Sequence, residues 1–329
     1  MRILVTGAAG FIASNLMPRL LREGHEVLGI DNFFLGRKAN VAAFAGYANF
    51  KFIEQDLLER DSVRQILLEF KPERVWHLAA NSDISFGTLH TDFDLKGGTI
   101  ATYNLLEAIR LSGCKELLFS SSGAIYGEPT IHPTPENYGP LFPISLYAAS
   151  KLACEGLIAA YAHNYDIQAW IFRFGNVVGP NPTHGVIHDF LLRLLQDPTR
   201  LKILGDGEQA KPYIHVEDCL DGMMYGQAHA AGRMNCYNLA VPDQTSVNKI
   251  AAWCLEEFGI DQCAFEYTGG SRGWKGDVAL VDMDTAHMTA LGWSPRMSSD
   301  QAVRRTIHEI AAQFHLLRAQ GALPSPGVA

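Results

Sequence analysis

The sequence predicts an α/β fold: a doubly wound parallel sheet with helices on both faces, followed by a second, smaller α/β lobe. Three observations lead to this prediction. Short apolar runs alternate with helix-like segments through the first half, these runs lack polar alternation, and Pro/Gly punctuation thickens from residue 179 onward. Strands covered on both sides are apolar throughout, whereas half-exposed strands alternate. The first half is therefore expected to form a covered parallel sheet.

Each element has its own local signal, and together they define the predicted lobes. The strand-like runs are 2–6, 26–30, 50–55, 74–79, 116–121 and 167–174, and the helix-like segments are 11–23, 60–70, 99–111 and 147–165. We expect residues 1–175, with parts of 212–235, to form the first lobe and residues 176–318 the smaller one. The short strand-like run 236–239 is assigned to the smaller lobe. Residues 319–329, which contain little to bury, are predicted to be a disordered tail.

Composition excludes several classes of function. The chain has 329 residues, 47% of them hydrophobic, and a net charge of −8 without a Lys/Arg cluster, which disfavours a nucleic-acid partner. No apolar stretch reaches the ~18–20 residues of a membrane span, and the N-terminal run is too short for a signal peptide. The six cysteines are scattered without a Cys-x-x-Cys pair, which favours reduced thiols and a cytoplasmic protein.

A glycine-rich turn follows the first strand-like run and predicts a dinucleotide site in a Rossmann-like lobe. Gly7 permits a tight turn, Gly10 lets the backbone approach a pyrophosphate, and the helix opening at Phe11 and Ile12 offers free N–H groups to that anion. The second strand-like run leads to Asp31-Asn32, placed 21 residues beyond Gly10 to bind an adenosine ribose. Asp31 would repel a 2′-phosphate, so NAD is expected rather than NADP.

The third strand-like run leads to Asp56 and Leu57. These residues are placed to meet the edge of the adenine ring. A helix N-cap before Glu59 is an equally good interpretation of Asp56.

A Tyr-x-x-x-Lys pair begins a helix-like segment, in Tyr147-Ala-Ala-Ser-Lys151. Residues four apart share a helix face, so the Lys151 ammonium can favour ionisation of the Tyr147 phenol, helped by the positive charge of an oxidised nicotinamide. Ser122, at a strand end, can hydrogen-bond the same substrate oxygen. The three residues predict reversible oxidation of a hydroxyl with Tyr147 as the base. The same spacing at Tyr47 and Lys51 lies outside any helical pattern and is not expected to act.

These motifs resemble the extended short-chain dehydrogenase/reductases, and among them the NAD-dependent epimerase/dehydratase family that acts on nucleotide sugars. The resemblance covers about residues 1–315 and is carried by stretches 4–12, 31–33, 77–80, 119–127, 147–151, 173–180, 205–209 and 213–218. It implies a retained NAD, with Ala79 and Lys151 also at the cofactor. It further implies a cytoplasmic homodimer that pairs segments 91–112 and 147–165.

The resemblance also implies a substrate site. Asn176 corresponds to an asparagine that contacts the substrate diphosphate, and Lys211 stands where an arginine usually binds it. Arg272, before Gly276-Asp277, corresponds to a second cation. Lys211 offers a point charge where arginine offers a two-pronged contact, which makes its correspondence weaker.

The residues after Ser122 bear on the type of reaction. The dehydratases and decarboxylases of the family carry acidic residues there, whereas this chain has Gly123-Ala124, which cannot move protons. The resemblance therefore implies an isomerase, a 4-epimerase of UDP-glucose/UDP-galactose type that oxidises C4 transiently. Hexose contacts are expected from Asn81, Ser82 and Asp83, with a helix-end role for Asp83 an equal alternative.

Other interpretations remain open at this point. The resemblance places Val281 at a position that gates sugar bulk, where its small side chain would admit an N-acetylated sugar. A dehydratase or decarboxylase that uses Asp83 is a second candidate, and an NAD(H)-sensing binding module is a third. No metal site is predicted, because His184 and His188 lack the glutamate of a His-Glu-x-x-His motif.

Overall fold

The computed structural model describes residues 1–270, 272–273, 276, 278 and 280–319. Its strands are β1 (Arg2–Thr6), β2 (Glu26–Asp31), β3 (Phe50–Glu54), β4 (Arg74–His77), β5 (Glu116–Ser122), β6 (Gln168–Phe174), β7 (Asn176–Val178), β8 (Arg200–Ile203), β9 (Ala210–Lys211), β10 (Tyr213–His215), β11 (Met234–Leu239), β12 (Thr245–Ser246) and β13 (Ala264–Tyr267).

The helices are α1 (Phe11–Arg22), α2 (Lys38–Ala42), α3 (Arg60–Phe70), α4 (Ile84–Leu89), α5 (Ala101–Ser112), α6 (Leu146–Tyr165), α7 (Val186–Gln196), α8 (Val216–His229), α9 (Val247–Phe258), α10 (Ala286–Leu291) and α11 (Ser299–Ala319). A π-helix, Leu95–Ile100, precedes α5, and a 3₁₀ helix, Gly123–Tyr126, follows β5.

Seven parallel strands form one sheet in the order β11-β6-β5-β4-β1-β2-β3. The chain starts in the middle of this sheet, winds outward through β2 and β3, and returns through β4 to the other side. This is a Rossmann-like doubly wound arrangement, in which ligands bind beyond the carboxyl ends of the strands near β1 and β4. The predicted fold class is confirmed.

Apolar side chains cover both faces of this sheet, which explains why its strands lack polar alternation. On one face, α1 and α8 bury a core that includes Leu16, Leu20 and Met223. On the other face, α3, α5 and α6 bury Leu67, Leu105 and other side chains. A separate core joins α7, α9 and α11 with β8 in the second half of the chain.

Two assignments made from the sequence differ from the structure. Residues 236–239 were placed in the smaller lobe, whereas they belong to β11, which pairs in parallel with β6 at the edge of the large sheet. A short strand pattern does not reveal its partner, because pairing is decided by contacts distant in the sequence. The tail predicted from residue 319 also starts too early, since α11 includes Ala319; residues 320–329 lie outside the described chain.

Within the described residues, no helix has the length and apolar character needed to cross a membrane.

Candidate active site

The carboxyl end of β5 and the start of α6 bring Ser122, Tyr147 and Lys151 together. Ser145 caps α6 by accepting a hydrogen bond from the Ala148 N–H (3.2 Å), which fixes the helix start just before Tyr147. One turn later the buried Lys151 donates from Nζ to the Ser120 carbonyl (2.5 Å). Its Nζ lies 5.9 Å from the centre of the Tyr147 ring.

Burial dominates the protonation of this pair. Burial raises the pKa of Tyr147 to about 12, against a hydrogen bond with Ser122 that lowers it, and the charge of Asp94 raises it further. Burial also lowers the pKa of Lys151 to about 8. A lowered phenol pKa was expected with an oxidised nicotinamide present. In the protein without NAD the pKa is raised, because desolvation of the phenolate outweighs its stabilisation by nearby groups.

A buried histidine, which the sequence argument did not single out, lies behind the pair. His77 Nδ1 is 2.7 Å from the Thr6 hydroxyl and Nε2 is 2.9 Å from the Thr102 hydroxyl. Burial, with the nearby Lys151 charge, lowers the pKa of His77 to about 3, so the ring is neutral at physiological pH. It ties β4 to β1 and α5 close to Lys151.

The glycine turn has the geometry that a pyrophosphate requires. Gly7 has φ +70°, and a Cβ there would lie 2.7 Å from the Ala79 backbone nitrogen, so only glycine fits. Gly10 forms the N-cap of α1 and has no side chain to satisfy the first N–H groups of the helix. Those N–H groups and the helix dipole suit an anion, and the residues present therefore fit a dinucleotide.

Asp31 ends β2 beside this turn. Its carboxylate accepts hydrogen bonds from the Ala9 N–H (3.0 Å) and the Phe33 N–H (2.7 Å). Burial is the largest effect on the Asp31 carboxyl and raises its pKa, although both backbone bonds oppose the rise. These contacts hold the carboxylate at the end of the second strand, where a ribose is bound in this fold.

Asn32 and Asp56 meet across the ends of β2 and β3. The Asn32 amide donates to the Asp56 carboxylate (2.9 Å), which also accepts from the Leu58 N–H (2.8 Å). Asp56 is therefore not the N-cap of α3, which is Glu59. Leu57 is buried beside it.

One cleft of about 910 Å³ joins these features. Its wall includes all the predicted cofactor residues: Gly7, Gly10, Phe11, Ile12, Asp31, Asn32, Asp56, Leu57, Ala79 and Lys151. It also includes seven of the eight predicted substrate residues: Ser122, Tyr147, Asn176, Lys211, Asn81, Ser82 and Asp83. The cleft thus runs from the glycine turn past the tyrosine to the second half of the chain.

The predicted diphosphate ligands have different settings. Asn176 is exposed at the start of β7 and lines the cleft. Lys211 is buried and its ammonium donates to the Val278 carbonyl. Arg272 forms an ion pair with Glu128 and, within the described chain, does not line the cleft, although its neighbour Gly273 does. Asp277, named with Arg272 in the prediction, lies outside the described residues.

The residues predicted to contact the hexose have other partners in the structure. Asp83 lines the cleft, but its carboxylate caps α4 by accepting from the Phe86 N–H (3.1 Å), so it has the helix-end role. Asn81 donates to Asp94 (3.0 Å) and to the Asp83 carbonyl (2.9 Å). Val281 packs in the cluster around Tyr126 and Met283 and not along the described wall of the cleft.

The turn after Ser122 is closed by packing. A Cβ at Gly123 would lie 2.6 Å from the sulfur of Met283. In the part of the chain that the structure describes, the carboxylates lining the cleft are Asp31, Asp56, Asp83 and Asp189. None of them belongs to this turn.

Several residues of the cleft wall were not predicted as cofactor or substrate ligands. Phe34, Phe93, His184 and His188 all line it. The signal for Phe34 was present in the sequence, as an aromatic pair directly after Asp31-Asn32. No group of three or more potential metal ligands occurs among the described residues.

Comparison with known proteins agrees with this geometry. A Rossmann-like sheet with a glycine turn after β1 is typical of dinucleotide-binding domains. A model described as "NAD dependent epimerase/dehydratase family" matches residues 3–240. The chain belongs to the NAD-dependent epimerase/dehydratase family, which is a family of enzymes, and NAD is its cofactor.

Individual relatives carry more than one activity. A UDP-glucose 4-epimerase of Mycolicibacterium smegmatis is 33% identical over 93% of this chain and 97% of its own. UDP-glucuronic acid decarboxylase 1 of Danio rerio is 32% identical over 100% of this chain and 77% of its own. The solved UDP-glucose 4-epimerase of Thermus thermophilus in complex with NAD is 29% identical, with TM-score 0.83, covering 95% of this chain and 100% of that one.

Proposed function

We propose that the protein is an NAD-dependent 4-epimerase of UDP-sugars of the UDP-glucose/UDP-galactose type. The observation that carries the proposal is the combination of Ser122, Tyr147 and Lys151 with a following turn, Gly123-Ala124, that has no carboxyl group. Elimination needs groups that move protons at the sugar carbons. Epimerisation needs only that one hydroxyl be oxidised and reduced.

The chain's own residues manage the proton of the sugar hydroxyl. Tyr147 takes the proton from the C4 hydroxyl while Ser122 holds the same oxygen by a hydrogen bond. Since burial raises the pKa of Tyr147 to about 12, the phenol needs nearby positive charge to act as a base. Lys151 provides one charge; bound NAD⁺ supplies a second, together with reversible acceptance of the C4 hydride.

The smaller lobe holds the nucleotide end while the sugar turns. We assign the diphosphate to Asn176 and to the Lys211 and Arg272 cations, because phosphate oxygens are bound best by charged donors. Arg272 must leave Glu128 to reach that diphosphate. Tight binding of the diphosphate, with few charged groups near Ser122 to hold the sugar, would let a 4-keto sugar rotate. Either of its faces could then be reduced.

The direct experiment is to incubate the purified protein with UDP-glucose, UDP-N-acetylglucosamine and UDP-glucuronic acid and identify the products by NMR and mass spectrometry. We expect the C4 epimer of UDP-glucose at unchanged mass. A product lacking water or carbon dioxide would contradict the proposal. Turnover of UDP-N-acetylglucosamine would extend the proposal to N-acetylated sugars.

A dehydratase or decarboxylase is the second candidate, because decarboxylases occur among the relatives and the Asp83 carboxylate lines the cleft. Its cap on α4 occupies one carboxylate oxygen with the Phe86 N–H. Asp83→Asn keeps that acceptor, so turnover should survive if the protein is an epimerase. A lighter product from the native protein, together with loss of turnover in Asp83→Asn, would favour the second candidate.

We also propose a cytoplasmic homodimer that pairs α5 and α6 with their copies across a two-fold axis. Leu95, Ile100, Tyr103 and Leu111 are large apolar side chains exposed on the π-helix and α5, and Tyr165 is exposed at the end of α6. Six free cysteines, four of them buried, fit a reducing compartment. Sedimentation equilibrium should give twice the chain mass, and Tyr103→Glu should give monomers; a monomeric native protein would contradict the dimer.

A further inference from the structure

Three aromatic side chains from separate segments meet at one edge of the cleft. The Phe34 ring, in the loop after β2, lies 4.5 Å from Phe93 and 5.3 Å from Phe86, measured between ring centres. Phe86 and Phe93 are 4.8 Å apart in an edge-to-face arrangement. Such pairs stabilise their contact beyond the burial of apolar area. We call Phe34, Phe86 and Phe93 the aromatic clasp.

The clasp joins walls that belong to different parts of the sheet. Phe34 follows Asp31 at the ribose end of β2, whereas Phe86 and Phe93 lie in and after α4, beyond β4. The first helix and the glycine turn begin between these two strands in the sheet order, next to β1. A contact from the β2 side to the β4 side therefore passes across the groove in which the dinucleotide lies.

The loop that carries Phe34 is fixed at its other end. The Arg37 N–H and the Asn40 amide both donate to the Ala9 carbonyl in the glycine turn (3.0 and 2.9 Å). A Cβ at Gly36 would lie 2.8 Å from an Asp31 carboxylate oxygen, so the loop runs directly over that carboxylate. Phe34 is thus held near the cleft by a short, anchored loop.

Two contacts connect α7 and the loop before it, in the second half of the chain, to the segments that carry the clasp. An Arg37 guanidinium nitrogen is 3.4 Å from His188 Nε2 on α7. His184 Nε2 is 3.2 Å from the Ser82 carbonyl, before α4. The three segments that surround the cofactor groove thereby touch one another along its rim.

We infer that the aromatic clasp closes the cleft over bound NAD and sets how slowly NAD leaves the protein. Phe34 and Phe93 line the cleft, while Phe86 touches both rings without being part of its wall. NAD can then leave only when Phe34 separates from the α4 side. In the proposed epimerase, NAD is reduced and reoxidised within each turnover, so it does not have to be exchanged for a new molecule. A groove closed over NAD would therefore not slow the reaction.

The test compares Phe34→Ala, Phe86→Ala and Phe142→Ala in the full-length protein loaded with NAD. Phe142 is the matched control, a phenylalanine that is 73% exposed and lies outside the cleft wall. Release of radiolabelled NAD into excess unlabelled NAD gives the rate without any need for activity. Melting temperatures of the NAD-free proteins show whether each variant is folded.

We expect Phe34→Ala and Phe86→Ala to release NAD roughly tenfold faster than the native protein, because loss of two aromatic contacts is worth about that factor. Phe142→Ala should release it at the native rate. The Phe86 variant is decisive, since this side chain touches the rings of Phe34 and Phe93 but does not line the cleft. Native release rates in folded Phe86→Ala, or in Phe86→Leu if the alanine variant does not fold, would overturn the inference.

Discussion

The two ends of the cleft are built in different ways. At the end formed by the large sheet, buried groups are held by main chain: Lys151 donates to the Ser120 carbonyl, and Asp31 accepts from the Ala9 N–H. Beyond the other end, Arg272 pairs instead with the side-chain carboxylate of Glu128, an exposed contact, although Lys211 again donates to main chain, the Val278 carbonyl. If the proposed function holds, the first end is preformed, whereas the Arg272 guanidinium has to leave Glu128 before it can meet a diphosphate.

Tyr147→Phe would test the preformed end most severely. Without the phenol oxygen no group takes the hydroxyl proton, so turnover should fall by about 10³-fold, within the range for a positioned proton-transfer group. NAD should remain bound, because the ring is otherwise unchanged. Steady-state kinetics and the NAD content of the purified variant check both parts.

The control is Tyr47→Phe, which alters the other Tyr-x-x-x-Lys sequence. Turnover should stay native, since Tyr47 lies in a turn before β3. Native turnover in Tyr147→Phe would end the assignment of the base, and NAD loss from that variant would place the phenol in cofactor binding.

Gly7→Ala should damage the cofactor end by a steric route. The substitution meets both a positive φ and a 2.7 Å contact with the Ala79 nitrogen, and we expect a loss of about 1–3 kcal/mol in the free energy of unfolding together with weaker NAD binding. Urea unfolding and NAD titration measure the two effects.

Gly113→Ala separates the two causes. Gly113 has φ +79° with nothing near its missing Cβ. The variant should lose about 1 kcal/mol and bind NAD normally. If both variants lost stability equally, close packing against Ala79 would have no role.

The buried lysine predicts a pH dependence of stability for the NAD-free protein. Because burial lowers the pKa of Lys151 from 10.5 to about 8, the folded protein binds fewer protons than the unfolded chain between these values. The free energy of unfolding should rise over that pH range, by up to about 3 kcal/mol relative to Lys151→Met. Below pH 8 both states are protonated and the difference is constant.

Urea unfolding of both proteins at pH 7, 8 and 10 measures this. The range stops at pH 10 because the raised pKa of Tyr147 has the opposite effect above it: the unfolded chain loses its phenol proton first, and stability falls with rising pH. A native-minus-variant difference that declines from pH 8 to 10 would contradict the burial of a charged lysine.

The smallest effects are expected for the ion pair between Arg272 and Glu128. Arg272→Met should raise the KM for a UDP-sugar by about tenfold with little change in kcat, as expected for loss of a charged contact made before and during the reaction. Glu128→Gln should lower KM by up to about fivefold, because it removes an exposed competitor for Arg272. If Glu128→Gln raised KM instead, the ion pair would be part of the binding geometry.

The same contrast explains what could be predicted from sequence. Short sequence patterns were enough to predict the glycine turn, Asp31 and the pair of Tyr147 and Lys151. The structure brings all of them into one cleft. The ion pair of Arg272 depends on a long side chain meeting a residue 144 positions away. No local pattern encodes such a meeting, and the same holds for the pairing of β11 with β6.

In the chain without NAD, the Tyr147 pKa is raised and not lowered, for a related reason. A lysine one turn away is visible in the sequence, but the desolvation of the phenol depends on everything packed around it. Charge can be read from a pattern, whereas depth of burial cannot.

The sulfur of Met283 restricts how the chemistry of this protein could be redesigned. An engineer who wished to install an acid beside Ser122 by changing residue 123 would drive the new side chain into that thioether, 2.6 Å from its first carbon. Met283 would have to be replaced by a smaller residue at the same time. That replacement would leave a cavity in the small cluster that Met283 forms with Ile125, Tyr126 and Ala240. Placing an acid at residue 123 therefore requires at least two substitutions.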